Sequence, residues 1–184
     1  PAGIYTYTVT PTAPCGVLSS TVQVVENQAP KAGTDGTITV CSTNAPFNLI
    51  TALGGGPDLN GSWLGPTLLA VPSTFTPGTS APGLYRYVVA GTAPCENDTA
   101  FVTVVVNTAP SAGTNGSLSI CSDASSVNLF TLLGGSPNSG GTWTNPNTQP
   151  FGGTYDPSNP QHPEGAYTYT VTGLSPCANA TAFV

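Results

Sequence analysis

Hydrophobic and polar residues alternate along a stretch that occurs three times in this chain. Its copies are Gly3 to Cys15 (GIYTYTVTPTAPC), Gly83 to Cys95 (GLYRYVVAGTAPC) and Gly165 to Cys177 (GAYTYTVTGLSPC). Successive side chains of a β-strand point to opposite faces of the sheet, so Tyr85, Tyr87 and Val89 share one face. Arg86 lies on the other face, where the other copies carry threonine. The pattern therefore predicts a strand that turns its Tyr-Tyr-Val face inward.

Two further stretches of the repeat have patterns typical of a β-sandwich. Thr37 to Cys41 (TITVC) alternates like a strand and matches Ser117 to Cys121 (SLSIC). A Gly-rich bend leads into Trp63 in one copy and into Trp143 in the next, which is typical of an inner strand of a sandwich. The residues that we predict to be core are Tyr85, Tyr87, Val89, Trp63, Trp143, Tyr167 and Tyr169.

Residues 47–53 (FNLITAL), matched by 127–133 (VNLFTLL), fit a strand or a helical turn equally well. A Pro- and Thr-rich segment follows the tryptophan in each copy. Its predicted anchor is Phe75, and Tyr155 occupies the matching position.

The repeat is roughly 80 residues long, a length typical of a small sandwich domain rather than of a solenoid unit. It divides the chain into the C-terminal strands of a preceding repeat (1–27), a complete repeat (28–107) and a nearly complete one (108–184). Because the chain begins and ends within a repeat, we expect it to be a section of a longer polypeptide.

Short linkers with proline separate the repeats, Asn27 to Asp35 (NQAPKAGTD) and Asn107 to Asn115 (NTAPSAGTN). Such linkers hold neighbouring domains at restricted angles. The sequence therefore predicts an all-β fold, in which tandem immunoglobulin-like antiparallel β-sandwiches of about seven strands are joined end to end by short Pro-containing linkers.

The composition limits the functions that the chain can have. Charged residues make up 5% of it, and Lys31 and Arg86 are the only basic side chains apart from one histidine. Nucleic acid binding is excluded, because it needs several clustered cations. No apolar run is long enough for a membrane span, so we expect no membrane insertion. A surface built from Thr, Ser, Asn and Gly is typical of an extracellular protein.

The five cysteines stand at 15, 41, 95, 121 and 177, two in each full repeat. No pair has a C-x-x-C spacing, His162 stands apart, and no nucleophile recurs with a base. We therefore predict no metal site, no cofactor and no enzymatic activity. Disulfides formed in an oxidising compartment are the natural interpretation.

Two disulfide pairings fit the repeat. Within repeats, the bonds are Cys41 to Cys95 and Cys121 to Cys177, and Cys15 stays unpaired. Across repeats, Cys15 joins Cys41 and Cys95 joins Cys121. We favour pairing within repeats, because closing a loop of about 55 residues stabilises a small domain by about 4 kcal/mol.

Two sets of residues fit either a binding function or a structural role. Tyr85, Tyr87 and Trp63 are the kind of aromatic residues that stack on sugars, but their shared parity with Val89 favours core packing. The carboxylates that could hold calcium between domains are Asp35, Asp58, Asp98 and Asp123. Calcium sites need several carboxylates at fixed spacing, and the next repeat has asparagine in place of the first two. We therefore expect no metal there.

The pattern AGTxGxxxxCS, NLxTxLGG, GxW, GxYxYxV and PC resembles the Ig-like or PKD-like repeats of giant cell-surface proteins of Bacteroidota. These include the SprB-type gliding-motility adhesins of flavobacteria. The resemblance implies export by type IX secretion, anchoring at the cell surface and a role as a stalk or adhesive fibre. It carries over no catalytic residues.

The resemblance also implies a modification site and partners. Asp98-Thr99-Ala100 is similar to the O-glycosylation acceptor of that phylum, with Thr99 as the attachment point. The implied partners are neighbouring repeats of the same chain, surface polysaccharide or other fibre chains. Two functions are thus expected: a section of an extended adhesin or filament, or a stalk or carbohydrate-binding module attached to a secreted hydrolase.

Overall fold

A computed structural model describes all residues, 1–184, as an essentially all-β protein. The strands are β1 Gly3–Val9, β2 Leu18–Val24, β3 Gly36–Cys41, β4 Phe47–Asn48, β5 Ser62–Leu64, β6 Ala70–Val71, β7 Thr74–Phe75, β8 Gly83–Val89, β9 Asp98–Asn107, β10 Val127–Asn128, β11 Thr142–Thr144, β12 Pro150–Phe151, β13 Thr154–Tyr155, β14 Thr168–Val171 and β15 Ala180–Phe183. Two short 3₁₀ helices, Leu49–Ala52 and Leu129–Leu132, are the only helical segments.

Residues 28–107, which we call the first unit, contain β3 to β9 in two layers. One sheet has the order β3-β9-β8-β5-β6, and β4 pairs with β7 in a second, smaller sheet. Phe75 of β7 packs edge-on against Tyr85 of β8, with ring centroids 5.8 Å apart, and so joins the layers. The seven strands agree with the predicted number. One pairing differs from the antiparallel expectation, because β3 runs parallel to β9.

The Tyr-Tyr-Val face of β8 forms the core of the first unit, as the alternation predicts. Tyr85, Tyr87 and Val89 are buried, whereas Arg86 between them is exposed. Trp63 lies in β5, which is flanked by β8 and β6, and its ring packs on Tyr87. Phe75, the predicted anchor, is also buried.

The segment that fits both a strand and a helical turn is in fact one followed by the other. Phe47 and Asn48 form β4, and the 3₁₀ helix begins at Leu49. The Asn48 side chain accepts a hydrogen bond from the backbone N–H of Ile50 (3.1 Å), which caps the helix. Leu49 then points into the core and is fully buried.

Residues 108–184, the second unit, repeat this arrangement with one strand fewer. Their sheets have the orders β12-β11-β14-β15 and β10-β13, and their separate core includes Trp143, Tyr167 and Tyr169. The predicted strand at Ser117 to Cys121 is wrong, because this segment is irregular. In the first unit the equivalent segment, β3, pairs with Val102 to Asn107 of β9.

The first copy of the repeated strand forms a bare hairpin of β1 and β2. Its Tyr-Tyr-Val face is not buried, which corrects the expectation for this copy: Tyr5 is 49% exposed and Tyr7 71% exposed. In the first unit the side chains of Trp63 and Phe75 pack on Tyr87 and Tyr85 of the same face. Alternation therefore defines an apolar face without supplying what covers it.

Candidate functional site: the junction between the units

One disulfide joins the two units. It links Cys41, the last residue of β3, to Cys177 in the loop between β14 and β15, across a sequence separation of 136. The two Cα atoms are 4.9 Å apart. The expectation that both residues are disulfide-bonded is confirmed, but neither predicted pairing is right. Cys15, Cys95 and Cys121 are free.

The parallel pairing of β3 with β9 explains why pairing within a repeat fails. Cys41 lies opposite Asn107, where β9 ends, whereas Cys95 precedes Asp98, where β9 begins. A strand of this length separates its ends by about 30 Å. A disulfide needs Cα atoms within about 7 Å, so Cys41 and Cys95 cannot meet.

Asn107 is the centre of a hydrogen-bond network around the disulfide. Its side-chain amide donates to the carbonyl oxygen of Ser175 in the second unit (2.7 Å). Its own carbonyl oxygen accepts from the backbone N–H of Ser42 (2.9 Å) and lies 3.3 Å from the Sγ of Cys177. The Ser42 hydroxyl accepts from the backbone N–H of Ala109 (3.0 Å). These contacts hold the two units together at the point where the chain passes between them.

The same contacts recur one repeat earlier. Asn27 donates to the carbonyl oxygen of Ala93 (2.6 Å), and the Sγ of Cys95 lies 3.4 Å from the carbonyl oxygen of Asn27. Sequence reasoning did not identify these asparagines as junction residues. Their signal is present, since both linkers begin with Asn at the matching position.

The aromatic residues that could stack on sugars have structural partners in the fold. The Tyr87 hydroxyl donates to the carbonyl oxygen of Asp58 (2.6 Å) and accepts from the backbone N–H of Gly61 (2.8 Å). In the second unit Tyr169 makes the equivalent bonds to Asn138 and Gly141. The face is thus closed to ligands in both units, which supports the core interpretation.

Most of the carboxylates considered for calcium hold backbone N–H groups instead. Asp58 accepts from Lys31 (2.9 Å) and Asp35 from Phe101 (2.8 Å). Asn138 and Asn115 make the same bonds in the second unit, and an amide oxygen serves as well as a carboxylate for this task. No group of three or more His, Cys, Asp or Glu side chains comes together in a way that could hold a metal ion.

Asp98 makes the strongest case for a structural carboxylate. It accepts from the backbone N–H of Ala32 (2.7 Å) at the start of the first unit and from that of Thr99 (2.8 Å). These bonds, that to Ala32 first, hold the pKa of the Asp98 carboxyl below its usual value. The ionised Asp98 carboxylate thus connects the start of β9 to the segment around Ala32, which is fully buried.

We expect acid to weaken the first unit through Asp98. A lowered pKa in the folded state stabilises the fold above the ordinary pKa of Asp, about 4, and this contribution is lost as the pH falls through the lower folded value. In the Asp98→Asn variant, the midpoint of unfolding should therefore fall less steeply than in the parent as the pH drops below 4. Asp123→Asn, in an exposed turn, is the matched control and should decline like the parent. Equal slopes for Asp98→Asn and the parent would contradict this role.

Thr99, the predicted glycosylation point, lies within β9 opposite Val88. Its neighbour Ala100 is buried, so Thr99 is on the outer face of the sheet and is partly exposed. The hydroxyl lies 3.5 Å from the Arg86 guanidinium, which donates to it. Attachment of a glycan there stays a prediction.

No protein-family model matches this chain, and no curated protein shows significant similarity to it. No helix is both long and apolar enough to cross a membrane. The disulfide is typical of proteins that fold outside the reducing cytoplasm.

Proposed function

We propose that this chain is a section of an extended cell-surface adhesin or filament, built from tandem immunoglobulin-like sandwiches and without catalytic activity. Residues 28–107 and 108–184 are successive domains, and residues 1–27 are the last strands of another. The partners are neighbouring repeats, with surface polysaccharide or other fibre chains beyond them. The function is mechanical, because it depends on reach and on resistance to bending and tension.

The observation that carries the proposal is the disulfide at the junction. Cys41 and Cys177 connect the units covalently in parallel with the backbone at Asn107. Two covalent connections close together restrict bending and twisting, which a single flexible linker would allow. A joint of this kind suits a protein that keeps its length under load.

The exposed surface supports an extended arrangement. The chain exposes 11,551 Å². A compact monomer of this mass would expose about 8,200 Å², whereas two units of about 8 kDa and a hairpin that barely touch would expose about 11,000 Å². The value agrees with small contacts between successive units. The alternative, a carbohydrate-binding module, is weakened by the burial of Tyr87 and Trp63.

Solution scattering tests the extended arrangement on the chain itself. β9 spans about 33 Å, so two units and a hairpin placed end to end form a rod about 95 Å long. A thin rod of that length has a radius of gyration of about 27 Å, against about 16 Å for a compact protein of this size. A measured value near 16 Å would refute the proposal and revive the appended module.

A further inference from the structure

Two asparagine–glycine pairs occur in the chain, Asn60–Gly61 in the first unit and Asn115–Gly116 in the second. Asparagine is a chemically labile residue. It is most labile before glycine, because a residue without a side chain lets its backbone nitrogen reach the asparagine side chain. The nitrogen closes a five-membered succinimide ring, which water then opens to aspartate or isoaspartate. The local structure around each pair decides whether the nitrogen is free to react.

Asn60 lies in the Gly-rich bend that leads into β5. The residue is exposed and belongs to a turn, so water and the solvent-borne base reach its side chain. Gly61, which carries the reacting nitrogen, follows directly and is only partly exposed. The pair therefore has one member in solvent and the other against the core of the first unit.

A hydrogen bond from the core restrains the reacting nitrogen. The backbone N–H of Gly61 donates to the Tyr87 hydroxyl (2.8 Å), and this hydroxyl donates in turn to the carbonyl oxygen of Asp58 (2.6 Å). A nitrogen whose hydrogen is engaged in this way stays away from the asparagine side chain, so the bend must open before the ring can close. The Tyr87 hydroxyl thus restrains this reaction in addition to its structural role.

The fold requires the glycine that makes Asn60 labile. A Cβ at Gly61 would come within 2.4 Å of the Tyr87 ring, and a Cβ at Gly141 within 2.5 Å of the Tyr169 ring. Both units therefore keep a glycine at this position. The residue before it is not fixed in the same way, because it is asparagine in the first unit and Gly140 in the second. The labile pair at the bend is thus a property of the first unit alone.

The other pair is held more firmly. The side-chain oxygen of Asn115 accepts from the backbone N–H of Phe183 (3.0 Å), and the N–H of Gly116 donates to the carbonyl oxygen of the same residue (2.9 Å). Both groups that would close the ring are thus tied to β15. The counterpart in the first unit is already an aspartate, Asp35, which accepts from Phe101 in the same way (2.8 Å). Conversion at this position would therefore be slower and would keep the contact.

We propose that Asn60 is a site of spontaneous conversion to aspartate and isoaspartate, that the Tyr87 hydroxyl restrains the conversion, and that it weakens the first unit with time. Isoaspartate lengthens the backbone by one methylene group directly before Gly61. Because this glycine fits against the Tyr87 ring without room for a Cβ, the longer backbone cannot close the bend. The first unit then loses the packing and the hydrogen bonds that Tyr87 supplies. This inference goes beyond the mechanical function and does not depend on it.

The reaction needs only water as a co-reactant. The Gly61 nitrogen forms a bond to Cγ of Asn60, the bond from Cγ to Nδ2 breaks, and ammonia leaves with the proton of the Gly61 nitrogen. Water then adds to one of the two ring carbonyls and returns a proton to the nitrogen. Breaking the bond from the nitrogen to Cγ gives aspartate, and breaking its bond to the backbone carbonyl carbon gives isoaspartate. No group is oxidised or reduced.

Incubation of the oxidised chain at mildly alkaline pH tests the site, with peptide mapping by mass spectrometry to measure each asparagine. Asn60 should convert to both products. Asn115 should convert at least about fivefold more slowly, because one more hydrogen bond must break before its ring can close. Equal or faster conversion at Asn115 would overturn the proposal.

A bend variant tests the consequence for the fold. Asn60→Gly copies the second unit, where Gly140 stands at this position. After the same incubation, the unfolding midpoint of the first unit should fall in the parent and stay unchanged in Asn60→Gly. A parent that accumulates isoaspartate at Asn60 without any change in this midpoint would contradict the proposed weakening.

Two tyrosine variants test the restraint. Tyr87→Phe removes the acceptor of the Gly61 N–H and should speed conversion of Asn60 about fivefold, the worth of one hydrogen bond of ordinary strength. Tyr85→Phe removes another hydroxyl of the same core, which donates to the carbonyl oxygen of Ala81 (2.6 Å), and should leave the rate near that of the parent. Equal acceleration by both variants would show that general loosening of the unit controls the reaction. Asn60 that stays intact in Tyr87→Phe, folded or unfolded, would overturn the site itself.

Discussion

When the chain is pulled from its two ends until it is unfolded and fully extended, its end-to-end length should be about 170 Å in the oxidised form and about 640 Å in the reduced form. The difference arises because the disulfide spans a sequence separation of 136. Tension passes from Cys41 directly to Cys177, so residues 42–176 do not bear load even when both units are unfolded. Single-molecule force spectroscopy with handles on terminal peptide tags measures both lengths. The disulfide thus limits how far the chain can lengthen.

Two variants separate the junction bond from other effects of reduction. Cys41→Ser under oxidising conditions should extend like the reduced chain. Cys121→Ser changes a free thiol and should stay as short as the oxidised parent. An oxidised parent that reaches the long extension would show that the disulfide does not carry the load, and the mechanical function would lose its main support.

Tyr87→Ala should lower the free energy of unfolding of the first unit by about 3 to 5 kcal/mol. The ring is 1% exposed and packs on Trp63 with centroids 4.8 Å apart. Its hydroxyl also holds Asp58 and Gly61, so truncation leaves both backbone groups without a partner. A Cβ at Gly61 would come within 2.4 Å of the tyrosine ring, which shows how closely the bend fits it.

Urea unfolding followed by Trp63 fluorescence in a Trp143→Phe background reports the first unit alone. Tyr87→Phe keeps the ring and loses the hydroxyl, so we expect an intermediate loss of about 1 to 3 kcal/mol. Arg86→Ala, next to it on the exposed face, should cost less than about 0.5 kcal/mol. If Tyr87→Ala leaves stability unchanged and removes binding to a polysaccharide, the sugar-platform interpretation replaces the core one.

The sequence alone was enough to predict the local structure of the repeat. Alternation identifies the buried face of β8, with Tyr87 inside and Arg86 outside, because a strand places successive side chains on opposite faces. The Gly-rich bend before Trp63 likewise predicts an inner strand, and β5 does lie between β8 and β6. These features depend on residues that are close together in the sequence, so the sequence pattern is enough to predict them.

The tertiary structure alone decided which cysteines meet. Alternation has the same period whichever way a strand runs, so it does not show that β3 lies parallel to β9. That direction places Cys41 at the end of β9 that meets the next unit, whereas Cys95 lies in the loop that leads into the start of β9.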